Sequence, residues 1–167
     1  EQTTLQDTPT ARKPLHRYPQ LILGVVAIFL YVGVEVISYD TFTNFGTYLG
    51  LPFEQAKSLA QYTAYALLAG YFVGIAIIPK YMSQKVALAV SAILSIIFIL
   101  IAINTTGTLA IVAFAFLGFS NAAIWPAIWP LALDDVGQHT KLGSALLVTA
   151  IVGGAVLMPL YGKVSEW

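Results

Sequence analysis

Residues 86–103 read VALAVSAILSIIFILIAI, the most uniformly apolar run in the chain and one without a single charge. A spanning helix needs about 20 apolar residues, at 1.5 Å each, to cross a hydrocarbon core of about 30 Å. Four more stretches qualify on the same count. Residues 21–39 are interrupted only by Glu35, residues 59–79 follow, residues 109–133 carry Asn121 and two prolines, and residues 142–161 come last. The fold class expected is an all-α membrane protein with five transmembrane helices.

The residues between these runs punctuate them. Pro79-Lys80 closes the second span and Lys85 opens the third, leaving a very short loop. Asn104-Thr105-Thr106-Gly107 reads as a turn, and Asp134-Asp135-Val136-Gly137 ends the fourth span. The longest connection, residues 40–58, holds Gly46, Gly50 and Pro52, and its early part is expected to continue the first helix beyond a bend. The domain reading is an arm over 1–20 and a five-helix bundle over 21–167. The arm, EQTTLQDTPTARKPLHRYPQ, holds Pro9, Pro14 and Pro19 and has no apolar core, so it reads as a linker that follows a preceding segment.

Composition agrees: 58% of the 167 residues are hydrophobic and 10% charged, against roughly 25% charged in a soluble domain. Eight basic and eight acidic residues cancel, so no field points toward nucleic acid. There is no cysteine, and His16 and His139 stand alone, so no metal site is expected. Without a phosphate-binding glycine loop or a nucleophile–base pair, neither a cofactor nor an enzyme activity is expected. Lysine and arginine counts orient the chain. Arg12, Lys13, Arg17, Lys80, Lys85 and Lys141 fall on one side, Lys57 and Lys163 on the other, which places the N-terminal arm in the cytoplasm and Trp167 outside.

Chemistry is carried by few residues. A carboxylate in an apolar span costs roughly 2.5–3.5 kcal/mol on insertion scales, so Glu35 needs a cavity or a partner. Counted from Leu21 it lies about 21 Å along its helix, beyond the midplane. Tyr31 and Tyr39 lie four residues to either side, on the same helical face. This stripe reads as a sugar contact or a protonatable group; the plainer reading is a hydrogen bond to a neighbouring helix. In FLGFSNAAIWPAIWPLAL (116–133), Asn121 and Trp125 share a face, and Pro126 and Pro130 should kink or loosen the helix. An amide beside an indole suits a sugar, because the amide serves hydroxyls and the ring packs on C–H faces. Trp129 is expected at the interfacial belt. Tyr62 and Tyr65 in the second span and Asn44 beyond the first complete the candidate substrate-binding set. Ser144 and Thr149 are weaker candidates. Ala66, Gly70 and Gly74 form a small-residue stripe, and they and Gly153-Gly154 are expected to be packing sites. Asp134-Asp135 is expected to find a partner such as Lys141.

FLYVGVEV (29–36), FLGFSNAAIWPAIWPLAL (116–133) and KLGSALLVTAIVGGAVLMPLYG (141–162) together resemble the major facilitator superfamily. The resemblance is to its fucose–galactose–glucose:proton symporter branch, the L-fucose permease and glucose/galactose transporter group. On it, the five spans look like helices seven to eleven of twelve, most of the C-terminal half. The resemblance implies secondary active, proton-coupled transport of a monosaccharide by alternating access, with the cavity shared with an N-terminal half. It implies as partners the sugar, the proton, the lipid bilayer and that missing half, in a bacterial inner membrane. Glu35, Asn121 and Trp125 fall on helices that line the cavity in such transporters. The chain has Gly70-Tyr71 where the family often has Gly-Arg, and the proton-coupling acids of the fucose permease lie in the other half. Two other readings stand beside this one: a small transporter that oligomerises, and a non-transporting membrane subunit or scaffold.

Overall fold

The computed structural model describes residues 17–78 and 80–165. The expectations for the rest of the arm, with Arg12, Lys13 and His16, and those for Pro79 and Trp167, lie outside the described residues. Eight α-helices follow in order: α1 Pro19–Tyr48, α2 Phe53–Ala56, α3 Leu59–Ile77, α4 Gln84–Asn104, α5 Gly107–Asn121, α6 Ile124–Ala132, α7 Thr140–Ala150 and α8 Gly153–Ser165, with a 3-10 turn at Gly137–His139. They make five helical units long and apolar enough to cross a membrane: α1, α2 with α3, α4, α5 with α6, and Gly137–Ser165.

Helix ends follow local chemistry. Pro19 stands at the start of α1, where its missing N–H has no helical partner to lose. The early part of the connection after residue 39 continues the first helix, as expected. TFTNFGTY contains no proline, so α1 runs unbroken for 30 residues, about 45 Å at 1.5 Å per residue. It stops where Gly50 takes φ +88°. There Leu51 N–H reaches the Gly46 carbonyl and Gly50 N–H the Thr47 carbonyl, a paired closure that only a left-handed residue permits. The loop expected over 40–58 therefore shrinks to a short turn and α2. Ser83 caps α4, its Oγ accepting from Val86 N–H at 3.3 Å.

Two spans are broken. The fourth divides at Ala122-Ala123, four residues before Pro126, which has no N–H to offer the Ala122 carbonyl. Pro130 is carried inside α6. The fifth, expected as one helix, divides at Ile151-Val152, just before Gly153 and Gly154.

The α5–α6 span is the centre of the bundle. It packs against α3 and α4 and, through α6, against α1, while α1 also packs along α8. Half of its most apolar window is buried, against 11% to 28% in the other spans. Two apolar cores stack along it. One gathers Leu21, Ile28, Ile128, Ala132, Val136 and Leu147; the other gathers Phe42, Leu59, Ala102, Ala113, Phe114 and Leu117, with Phe42 stacked on Phe114 at 4.3 Å. Outward faces are apolar, with Leu23, Phe72, Ile75 and Val164 more than 65% exposed, as lipid-facing side chains would be.

Close approaches rest on glycine. A Cβ on Gly153 would run into the Phe29 backbone, one on Gly118 into the Thr63 carbonyl, and one on Gly70 would lie 2.6 Å from the Phe119 carbonyl. The expected stripe is thus only partly a packing seam. Gly70 belongs to it, whereas a Cβ on Gly74 would meet nothing within 4 Å. Beyond Gly70 a crevice of about 170 Å³ lies between α3, α4 and the α5–α6 break.

Candidate substrate site

Between the two cores, α1 and the α5–α6 break bring polar groups together. Glu35 sits about 24 Å from the start of α1, near the middle of that 45 Å helix. Tyr31, one turn earlier, sends its hydroxyl to Glu35 Oε1 at 2.9 Å, as the four-residue spacing predicts. The same hydroxyl lies 3.1 Å from the backbone carbonyl of Asn121, the last residue of α5. A hydroxyl has one proton, and both of these groups are acceptors, so Tyr31 links the carboxylate to the broken helix. This contact is partly buried, which makes an unmet polar group there expensive.

The Asn121 side chain is held by α4. Its Oδ1 accepts from Ser95 Oγ on α4 at 2.9 Å. Ser95 Oγ is also 2.8 Å from Ser120 Oγ and 3.0 Å from the Ser91 carbonyl. Ser120, 1% exposed, reaches the Leu117 carbonyl at 3.0 Å. Among the described residues no hydrogen bond takes the Asn121 Nδ2 hydrogens. The buried side-chain polar atoms without a partner are Thr63 Oγ1 and Trp129 Nε1, so Nδ2 is open rather than sealed. Beside the break, a crevice of about 150 Å³ is lined by Gly70, Tyr71, Gly74, Ala122, Ala123 and Pro126.

The structure thus joins three of the candidates, Tyr31, Glu35 and Asn121. Tyr39 is half-buried one turn beyond Glu35. Trp125 is one turn beyond Asn121, 37% exposed, its ring edge-on to Trp129 at 5.9 Å. The remaining three do not join them. Tyr62 and Tyr65 are more than half exposed at the start of α3, with Tyr62 on a groove formed with Ala66, Ile111 and Phe116. Asn44 is exposed nine residues past Glu35, and its backbone carbonyl, not its amide, takes the Thr47 hydroxyl. Trp129 is partly buried and packs on the core around Ile28 and Leu147, with Nε1 buried. Thr149 bonds the Ala145 carbonyl of its own helix. Asp134 and Asp135 are exposed and, among the described residues, make no ion pair with Lys141. Instead the Asp134 carbonyl takes a hydrogen bond from Gln20 Nε2 at 2.8 Å, tying the ends of α6 and α1.

Ser95, Ser120 and Tyr71 were not legible as site residues. Hydroxyls in apolar helices usually bond their own backbone, as Ser38 and Thr41 do here. Nothing in the sequence separates Ser95 from them.

No family model matches the chain. A glucose/galactose transporter of Brucella abortus is 35% identical over 153 residues, which cover 90% of this chain and 37% of that protein. An L-fucose-proton symporter of Escherichia coli is 28% identical over 146 residues, covering 86% of this chain and 33% of that protein. A crystal structure of FucP, a major facilitator superfamily transporter in the outward conformation, superposes with a TM-score of 0.84 at 26% identity, over 91% of this chain and 37% of that one. The chain therefore spans little more than a third of the length of the proteins it matches, and these are transporters, not enzymes. It is homologous to the glucose/galactose transporters and L-fucose-proton symporters, with the fold of part of a major facilitator superfamily transporter.

Proposed function

We propose that this chain supplies five helices of the C-terminal half of a proton-coupled monosaccharide transporter, with the sugar bound between it and an N-terminal half. The observation that carries the reading is the Tyr31–Glu35–Asn121 cluster at the α5–α6 break. A broken helix with open polar groups at mid-span is tolerated where it lines a cavity. In this reading Glu35 Oε2 accepts from a sugar hydroxyl and Asn121 Nδ2 donates to one, while Trp125 packs on the ring's C–H face and Tyr39 borders the site. Tyr62, Tyr65 and Asn44 stand away from this cluster and are kept as contacts only for the outer mouth of the cavity. Rocking of the two halves would expose the sugar to each side in turn. The arm over residues 1–20 is then the end of a central cytoplasmic linker, with the bundle in a bacterial inner membrane and its N-terminal end inside. Support comes from the named activities of the relatives, and from the cost of leaving Glu35 in an apolar span without a purpose.

The test is exchange of D-glucose, D-galactose and L-fucose by the full-length protein in liposomes, with and without a pH gradient. Asn121→Ala should weaken sugar binding about three- to tenfold, as expected for one lost hydrogen bond. Exchange of none of the three sugars, or unchanged affinity in Asn121→Ala, would sink the reading.

A further inference from the structure

The Asn121 amide could face the site in either of two senses: acceptor inward or donors inward. Ser95 decides between them. Its Oγ, on α4, lies 2.9 Å from Asn121 Oδ1, while Tyr31, on α1, meets the backbone carbonyl of the same residue. Ser95 Oγ has one proton and two oxygens in reach that can only accept, Asn121 Oδ1 at 2.9 Å and the Ser91 carbonyl at 3.0 Å, of which Oδ1 is the nearer; Ser120 Oγ, buried and 2.8 Å away, shares its own proton between Ser95 and the Leu117 carbonyl. Tyr31 meanwhile occupies the Asn121 backbone carbonyl. With both oxygens of Asn121 engaged, only its two Nδ2 hydrogens remain to address a ligand.

We infer that Ser95, backed by Ser120, is a positioning residue that turns the Asn121 amide so that it presents donors, making the site selective for a ligand that offers an acceptor oxygen there. The inference rests on Asn121 being a sugar contact, and it predicts complementary roles: Glu35 accepts, Asn121 donates. A vicinal pair of hydroxyls, one giving and one taking a proton, is the ligand group that satisfies both.

The experiment measures apparent KM and maximal rate for D-glucose, D-galactose and L-fucose in the full-length transporter, together with the melting temperature without sugar. Ser95→Ala should raise KM about three- to tenfold, with the maximal rate within about twofold and little change in melting temperature. Ser95→Thr, which keeps the hydroxyl, should restore KM. Ser95→Cys, alike in shape though slightly larger and a weak donor, should fall between them and serves if the alanine variant does not fold. Asn121→Asp keeps an acceptor for Ser95 but has no Nδ2 hydrogens, so its KM should match that of Asn121→Ala. If Asn121→Ala weakens binding and Ser95→Ala does not, or if Ser95→Ala lowers only the melting temperature, Ser95 is a packing residue and the inference fails. If Asn121→Ala leaves KM unchanged, the ligand role of Asn121 fails first and the inference goes with it.

Discussion

At the residue scale, the deciding fact is that Tyr31 has one proton and two acceptors, Glu35 Oε1 and the Asn121 carbonyl. When Glu35 carries a proton it can donate to Tyr31, which is then free to hold Asn121. When Glu35 is ionised it competes for the Tyr31 proton and the tie across to α5 loosens. Tyr31→Phe removes the donor for both acceptors, at a cost of about 1 kcal/mol for each hydrogen bond lost. We predict a lower melting temperature and a weaker sugar affinity together, checked by thermal unfolding and exchange assays; a change in neither would refute the link. Glycines give a sharper pair. Gly153→Ala should cost about 1–3 kcal/mol by driving α8 off the Phe29 backbone, whereas Gly74→Ala should be neutral or slightly stabilising, because its Cβ points into open space. Monodispersity and melting temperature of the purified variants distinguish them.

At the scale of elements, the α5–α6 break sets the site. Pro126 withholds the N–H that would continue the helix, and Asn121 stands at the end of α5 because of it. Pro126→Ala restores the donor. The expected outcome is a more continuous helix and a melting temperature no lower than that of the parent, with exchange slowed because Asn121 no longer lies against Tyr31. A variant with full transport would show that the break does not matter to the site. The C-terminal end of α1 gives a second test. Gly50→Ala places a side chain at φ +88° and should cost about 1 kcal/mol, read as a lower melting temperature with sugar affinity intact.

For the whole molecule, the outward faces of the spans are apolar and the central span is buried. Charge placement predicts an orientation, with Arg17, Lys80, Lys85 and Lys141 expected on one side and Lys57 and Lys163 on the other. A reporter that works only in the cytoplasm should stay silent when fused after Trp167; activity there would reverse the topology.

The five spans, the intramembrane carboxylate and the softened fourth helix were all determined by the sequence, because hydropathy, a charge in an apolar run and a missing N–H act locally. So was the shared face of Tyr31 and Glu35, a consequence of 3.6 residues per turn. Only the tertiary structure decided which candidates meet. Tyr62 and Tyr65 have the same chemistry as Tyr31, but α3 leaves them exposed away from the cluster, and Asn44 lies nine residues past Glu35 on α1 and is exposed. The burial of Trp129 also depended on neighbours far along the chain. Glu35 stood out from the beginning as a charge needing a reason. Its fixed link to Asn121, and the hold of Ser95 on that amide, exist because three helices distant in sequence pack at one depth, which no local pattern encodes.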